Sequence, residues 1–591
     1  MSLERNSKLI NKKFIHYLIP SIVMIFAMSF SSLLDGILIG NMISGEALTA
    51  TSLVMPVLYI IQAPGFAIGV GGSIVIANKL GKRDIEGAKK AFSLSLIIGV
   101  AISLVFAALS FVISDPLAKL FGEASYEFSY QYIFMYLLTD PIITLALLLG
   151  NFMAVDNNPR TSSIFFVVSN VAKIGLEVLL IYLLNGSNNG MYGAALSTGA
   201  GFLVAFAVIP FYLKSKKRML KFTFKIRKEK VWDIFKSSST SGLNMVLTAI
   251  QSFIVNIYIG KLITAPVDLL AFGLIANVVF VFDLFCGGII SVIPTMVGIF
   301  YGEKDLYSLK SITRKIYLIN IGVTAFITAF ILIAPNVYCY IFGYTDEANM
   351  EYISMLIRIY LISFIPYEIN KFSMNYYPSI DKNIPSLIVV FLRELVIVLP
   401  LTLVLLFTNG ILGYNIACVV NETATVVITY IFILIYNKKK HTHGIFMFEN
   451  DEVESFETSL DNDITNAALI SEELTKFAKS VGVEERDAQV VGLAGEEIVN
   501  NIITYGYRHN HKYWIDVALK KVNDTLILRI RDDGLPFDPT KYEFDNDENY
   551  STSGIQLISA LTDKMTYMRI LSFNNTIFEI NLGGDHDGDS N

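Results

Sequence analysis

Charge and cysteine are what this chain has least of. Of its 591 residues only 17% are Asp, Glu, Lys or Arg, against about a quarter in soluble domains. Three cysteines, Cys286, Cys339 and Cys418, stand singly in apolar stretches, which excludes a disulfide framework or a thiolate metal site as the reading of choice. The six histidines offer no better ligand spacing: His441-x-His443 follows a lysine run and His509-x-His511 sits in a polar loop. No Gly-x4-Gly-Lys-Ser/Thr stretch occurs, so the paired phosphate-loop motifs of pump ATPases are excluded. The basic start (Arg5, Lys8, Lys12, Lys13) precedes an apolar run too long for a signal peptide, and that run is expected to stay in the protein.

Hydrophobicity is what the chain has in excess. It is 53% hydrophobic with a mean hydropathy of +0.54, the composition of a membrane protein. Apolar runs of membrane-spanning length number about twelve, centred near Met28, Ile61, Val100, Leu138, Val171, Leu203, Ile250, Val279, Ala325, Phe364, Val396 and Val427. Lysine and arginine crowd alternate loops: residues 79–90, 214–230, 304–315 and 438–440. An even number of spans with this bias puts both ends on the cytoplasmic side of the cell membrane. Gly81-Lys-Arg-Asp84 recurs as Gly302-Glu-Lys-Asp305, and Gly36-Ile-Leu-Ile-Gly40 as Asn256-Ile-Tyr-Ile-Gly260. Two six-helix lobes in the same orientation, 1–213 and 237–440, are expected around a basic loop, 214–236.

One carboxylate, Asp35, falls in the middle of the first span. A charge at that depth costs at least ~2.5–3.5 kcal/mol and needs a partner, a proton or water, so Asp35 is the first functional candidate. Its counterpart in the repeat is Val255, so the ionisable site is expected in the first lobe only. Lys173 and Glu177 are spaced i,i+4 on the fifth span and share a helix face. Asp283 and Glu368 are the second-lobe carboxylates best placed for a cationic substrate, while Asn151, Asn170, Asn244, Gln251, Asn277 and Arg393 read as interhelical hydrogen-bonding groups.

From about Phe14 to Lys440 the chain resembles the multidrug and toxin extrusion (MATE) transporters, nearest the DinF-like branch. The resemblance rests on Asp35-Gly-x-x-x-Gly40, Leu80-Gly-Lys-Arg-Asp84, Leu176-Glu-x-Leu-Leu-Ile181, Tyr192-Gly-Ala-Ala-Leu-Ser-Thr198, Arg393 and Glu422. It implies an antiporter that exports organic, often cationic, compounds against protons or sodium. It also implies a first-lobe cation site at Asp35, Lys173 and Glu177, with Thr198 as a polar neighbour. In that branch an amide stands where Lys173 does. An ammonium among carboxylates takes the place of a sodium ion and repels an incoming cation, which points to protons as the coupling ion; the alternative is that Lys173 reaches the cytoplasmic interface.

After Lys440 the composition changes. An acidic linker, 441–463, carries one strand near Ser455–Leu460, and an α+β domain follows over 464–591. Residues 465–480 and 485–506 read as amphipathic helices, Trp514–Lys520 and Thr525–Arg531 as strands, and Lys564–Leu571 with Thr576–Leu582 as a hairpin turning at Asn574-Asn575. Three motifs stand in order: Glu496-Glu-Ile-Val-Asn-Asn-Ile-Ile-Thr-Tyr-Gly-Tyr507, Arg531-Asp-Asp-Gly534, and Ser551-Thr-Ser-Gly-Ile-Gln556. They resemble the Bergerat ATP-binding fold of the GHKL superfamily, specifically the anti-sigma-factor serine kinases. The resemblance implies ATP with Mg²⁺ held by Asn501, a general base at Glu497, adenine recognition by Asp532, Gly534 and Thr576, and a helix opened at Gly554 facing the phosphates. The fold class is therefore a polytopic all-α membrane protein with a C-terminal α+β Bergerat domain. The expected function is a secondary antiporter with a cytosolic kinase-like regulatory domain. The rival is a membrane-tethered serine kinase with the transporter as sensor, acting on a STAS-like anti-sigma antagonist. Lipid and small organic substrates are the expected partners, and no nucleic acid.

Overall fold

The computed structural model describes residues 4–186, 188–224, 229–263, 265–341, 347–440, 442–449, 454–507, 512–541 and 550–582. His441, His509, His511, and parts of the basic loop, the acidic linker and the C-terminal end lie outside them. The chain forms two compact units, residues 16–448 and residues 1–15 with 449–591.

The larger unit is helical. Among the described residues, eleven segments are long and apolar enough to cross a membrane: α1 (Lys8–Met42), α2 (Gly45–Gly81), α3 (Ile85–Lys119), α4 (Ser125–Val155), α5 (Pro159–Asn185), α6 (Gly190–Leu213), α7 (Val231–Leu262), α8 (Pro266–Gly302), α9 (Leu306–Ile333), α10 (Glu347–Ser379) and Asn383–Lys440. The last has 58 residues, enough to cross twice. Gly410 breaks it with φ +58 and ψ −142, a conformation open to glycine, giving α11 before it and α12 after. All twelve span centres read from the sequence fall within these helices.

The internal repeat is visible in the turns. Asp84 caps α3 by accepting from the Gly87 N–H at 2.7 Å, and Asp305 caps α9 by accepting from the Ser308 N–H at 3.1 Å. The residue before each cap, Arg83 and Lys304, is left-handed with φ of 62 and 53. Each lobe has its own core, Phe165, Phe166, Met153 and Ile181 in the first and Phe282, Ile353, Ile357 and Phe364 in the second. Phe282 and Phe364 stack with centroids 3.8 Å apart. Two π turns interrupt the second lobe, Asp283–Gly287 in α8 and Leu392–Val396 in α11. Such turns widen a helix and re-aim its side chains, frequently at functional sites.

The smaller unit packs two helices, α13 (Thr465–Ser480) and α14 (Glu485–Tyr505), on a five-stranded antiparallel sheet. Its strands are β1 (Ser455–Asp461), β2 (Trp514–Val522), β3 (Thr525–Asp532), β4 (Lys564–Ile570) and β5 (Phe573–Asn581), in the order β1-β2-β3-β5-β4. The helices bury Ile470, Leu474, Val491 and Val499 against Ile515, Val517, Leu528 and Ile530, each such side chain worth about 1.5–3 kcal/mol. The last hairpin turns at Leu571-Ser572, φ 53 and 58, not at Asn574-Asn575 as the sequence suggests. Both asparagines are strand residues, in register with Asp532 and Arg531. Turn-forming chemistry at the asparagines lost to the pairing of β5 with β3, which buries both amides.

Residues 4–15 belong to this unit. The Asn6 N–H donates to Ser459 Oγ at 3.0 Å, Arg5 pairs with Glu457, and the Lys8 ammonium lies 4.2 Å from the Trp514 ring centroid.

Candidate functional site

In the smaller unit, a cavity of about 420 Å³ is lined by Ile498, Asn501, Asp532, Ile555, Asn574 and Thr576, among others. Asp532 ends β3 and is 4% exposed. Its Oδ1 accepts from the Gly534 N–H at 2.7 Å and from Asn574 Nδ2 at 2.8 Å. Among the described residues Oδ2 has no donor. Burial raises the Asp532 carboxyl to about 6, with the Gly534 and Asn574 hydrogen bonds opposing it. Gly534 is required by its neighbour rather than by its φ: a Cβ there would lie 2.4 Å from the Gly506 carbonyl oxygen. The Leu535 N–H donates to that same carbonyl at 2.7 Å, tying the loop to the end of α14.

Glu497 and Asn501 lie one turn apart on α14. Asn501 Nδ2 donates to Glu497 Oε1 at 2.9 Å, leaving Asn501 Oδ1 without a donor among the described residues. Gly554 does not open its helix; α15 runs Tyr550–Leu561 and begins four residues earlier. Its role is close approach, because a Cβ at Gly554 would lie 2.3 Å from the Glu497 carboxylate. Thr576, on β5, lines the cavity. The donor set fits the nucleotide that the sequence motifs imply. A buried carboxylate oxygen free of donors suits an exocyclic amino group, and an amide oxygen suits Mg²⁺.

Sequence reasoning missed Asn574, which holds Asp532 and also donates to the Leu535 carbonyl at 2.9 Å. Tyr567 and Arg569 both donate to its Oδ1, at 2.7 and 2.8 Å. Placing the hairpin turn three residues earlier would have made Asn574 a strand residue, and it is in that strand that Asn574 pairs with Asp532. Asp533, the next residue, accepts from Lys12 at 2.7 Å and from the Tyr507 hydroxyl at 3.1 Å.

In the larger unit, Asp35 on α1 is ion-paired with Lys173 on α5. Glu177 is buried one turn further along α5. Asp35 Oδ1 and Glu177 Oε2 are both buried without a hydrogen-bond partner, so the three groups form a cluster of ionisable side chains with spare acceptors. Gly201 on α6 allows this packing, since a Cβ there would lie 2.8 Å from Lys173 Cβ. Thr198 is half-buried on α6, and no described hydrogen bond joins it to the cluster.

The expectation of ionisable chemistry in the first lobe alone is corrected by a second pair, Asp283 with Lys371, from α8 and α10. The repeat offset hid it, because the two pairs are not equivalent by position. Asp283 opens a π turn and lines a cavity of about 460 Å³ reaching from α1 to α10. Glu368 is fully buried, accepts from Asn320 Nδ2 at 3.1 Å and is absent from the lining. Arg393, on the other π turn, donates to Glu422 at 2.7 Å and stacks over Tyr367 at 4.5 Å.

The MatE family model matches residues 20–179 and 241–404, and a histidine kinase-like ATPase domain model matches residues 460–577. Multidrug export protein MepA of Staphylococcus haemolyticus (strain JCSC1435) is 24% identical over 253 residues, covering 42% of this chain and 55% of that protein. MepA of Staphylococcus aureus (strain MRSA252) is 22% identical over 360 residues, covering 60% of this chain and 78% of that one. In structure, the chain is similar to a MOP superfamily transporter from Pyrococcus furiosus, whose binding pocket is described as of reverse polarity. The TM-score is 0.65 at 22% identity, over 73% of this chain and 96% of the other. An outward-facing multidrug resistance MATE family transporter matches with a TM-score of 0.63 at 20% identity, over 72% and 96%.

Proposed function

The chain belongs to the MatE family, and from that premise we propose that it is a proton-coupled antiporter exporting organic compounds, cations among them, under the control of a cytosolic nucleotide-binding domain. The observation that carries the reading is the Asp35–Lys173 pair with Glu177 beside it, inside the first lobe. A buried charge pair is stable only while both partners keep their charge. A proton delivered to Asp35 ends the pairing and leaves the Lys173 ammonium to seek Glu177, so protonation biases the packing of α1 on α5. A sodium ion would meet the ammonium and be repelled. The basic loops support a cytoplasmic face for both termini and for the ATPase domain.

The test is efflux of a fluorescent organic cation from proteoliposomes holding the full chain, under an imposed pH or sodium gradient. A pH gradient drives efflux and a sodium gradient does not, and Asp35→Asn abolishes it. Sodium-driven efflux of equal rate overturns the coupling.

The histidine kinase-like ATPase domain implies ATP binding. ATP with Mg²⁺ supplies a transferable phosphoryl group when bound. In this reading Asp532 and Thr576 receive the base, Asn501 Oδ1 the cation, and Glu497 takes a proton from water or a serine hydroxyl. A second reading is a membrane-tethered serine kinase with a STAS-type acceptor, in which Glu497, close enough to α15 to crowd a Cβ at Gly554, would serve as the base. Loss of ATP binding by the full chain in Asn501→Ala, and loss of turnover with binding kept in Glu497→Ala, support an active site. Phosphate transfer to a serine of a small antagonist protein favours the kinase, and nucleotide-dependent efflux the gated transporter.

A further inference from the structure

The α1–α10 cavity says more about its ligand than the family does. Among the described residues lining it, the charged side chains are Asp283 and Lys371, one of each sign and paired. The pair is open to the cavity, with side chains 34% and 22% exposed. Around it the wall is largely apolar, with Met24, Phe66 and Phe280, and carries amides at Asn151 and Asn375. At about 460 Å³ the space is that of a drug-sized ligand.

Charge balance selects the ligand. An organic cation that takes Asp283 must push Lys371 off its carboxylate, leaving the ammonium the Tyr367 ring at 5.6 Å and, among the described residues, no other carboxylate that lines the cavity, which is unfavourable away from water. An anion that takes Lys371 leaves Asp283 in the same position. A molecule with one group of each sign exchanges the internal pair for two new ones and strands neither. We propose that this cavity binds zwitterionic amphiphiles, the cationic group on Asp283, the anionic group on Lys371, and the apolar body along the α1 and α2 side. The inference rests on the exporter reading for its physiological sense, and on the cavity alone for its chemistry.

The experiment measures binding calorimetrically to the full chain in nanodiscs, with three hexyl probes: N-hexyl-N,N-dimethylglycine, hexyltrimethylammonium and hexanoate. The zwitterion binds at least tenfold more tightly than either ion. Lys371→Gln reverses the order in favour of hexyltrimethylammonium, and Asp283→Asn in favour of hexanoate. Exchanging the two residues (Asp283→Lys with Lys371→Asp) keeps zwitterion binding within about threefold, which separates charge recognition from misfolding. Equal binding of hexyltrimethylammonium and the zwitterion by the unaltered chain, or an unchanged order in Lys371→Gln, overturns the proposal. Zwitterion binding with this pattern but no gradient-driven movement of any probe removes the exporter reading and keeps the site. Efflux of an organic cation without zwitterion preference does the reverse.

Discussion

Lys12, in the second turn of α1, is ion-paired at 2.7 Å with Asp533, the residue that follows Asp532, the buried carboxylate lining the tail-unit cavity. Lys13 lies 3.7 Å from the same oxygen. Asp533 is 3% exposed while Lys12 is 67% exposed. Burial alone would raise the Asp533 carboxyl, but the Lys12 hydrogen bond and both lysine charges bring it below the ordinary carboxylate value.

Removing both amines with Lys12→Gln and Lys13→Gln is therefore expected to destabilise the tail unit. The pair, exposed on its Lys12 side, is worth about 0.2–1 kcal/mol, and leaving the buried carboxylate without a counter-ion, with the Tyr507 hydroxyl still donating to it, adds about 1–3 kcal/mol. Because the folded value of Asp533 is depressed, its contribution is present above about pH 4 and lost as pH falls through the folded value. Differential scanning of the full chain would show a lowered tail transition at pH 7 that converges with the unaltered protein below pH 4. Parallel curves at all pH values would refute the assignment.

Asp532 has the opposite sign. Its carboxyl is raised to about 6 by burial, so its ionised form is disfavoured in the fold. Stability from this group is complete below about pH 4 and declines as pH rises toward 6. The ionised form is nevertheless the stronger acceptor for an amino donor, by about 1 kcal/mol. Adenosine, which has no phosphates to titrate, should bind about fivefold more weakly at pH 5 than at pH 7.5. A flat profile in calorimetry would exclude Asp532 as the acceptor.

Gly554→Ala places a Cβ 2.3 Å from the Glu497 carboxylate. The carboxylate is the free end of a side chain, so it moves and the helices stay. The expected result is ATP binding within about threefold of the unaltered protein, and turnover reduced at least tenfold, as in Glu497→Ala. Turnover unchanged in Gly554→Ala would show that Glu497 acts from elsewhere or not at all.

Lys173→Asn removes the ammonium but keeps Asp35 and Glu177. With two carboxylates and an amide oxygen facing one another, the cluster gains the hard-oxygen character that suits a metal cation. Efflux by this variant is expected to become sodium-dependent, and without sodium both Lys173→Asn and Lys173→Ala, which leave Asp35 without its counter-ion, should lose about 3–5 kcal/mol of stability. Proteoliposome efflux with and without sodium decides the first, and thermal unfolding the second.

Much of this architecture was legible without coordinates. The span positions follow from apolar length, because a bilayer leaves a chain little choice. The repeat was legible because the Gly81 and Gly302 turns keep the same left-handed residue and the same aspartate cap. Gly81 and Gly302 also meet, a Cβ on Gly302 lying 3.0 Å from Gly81 Cα, which no reading of spacing could supply. The ordered tail motifs put Asn501, Asp532 and Thr576 into one cavity.

Hydropathy, helical spacing and motif order are local properties, and they sufficed to find the apolar spans, the lobe that holds Asp35, and Asn501, Asp532 and Thr576 around one cavity. Tertiary structure alone decided that Lys371 answers Asp283, that Asn574 holds Asp532, that Glu368 is sealed away, and that residues 4–15 complete the tail unit. Each of these joins groups far apart in the chain, and whether a charge finds its partner depends on which helices and strands pack together, not on which residues stand near it in sequence.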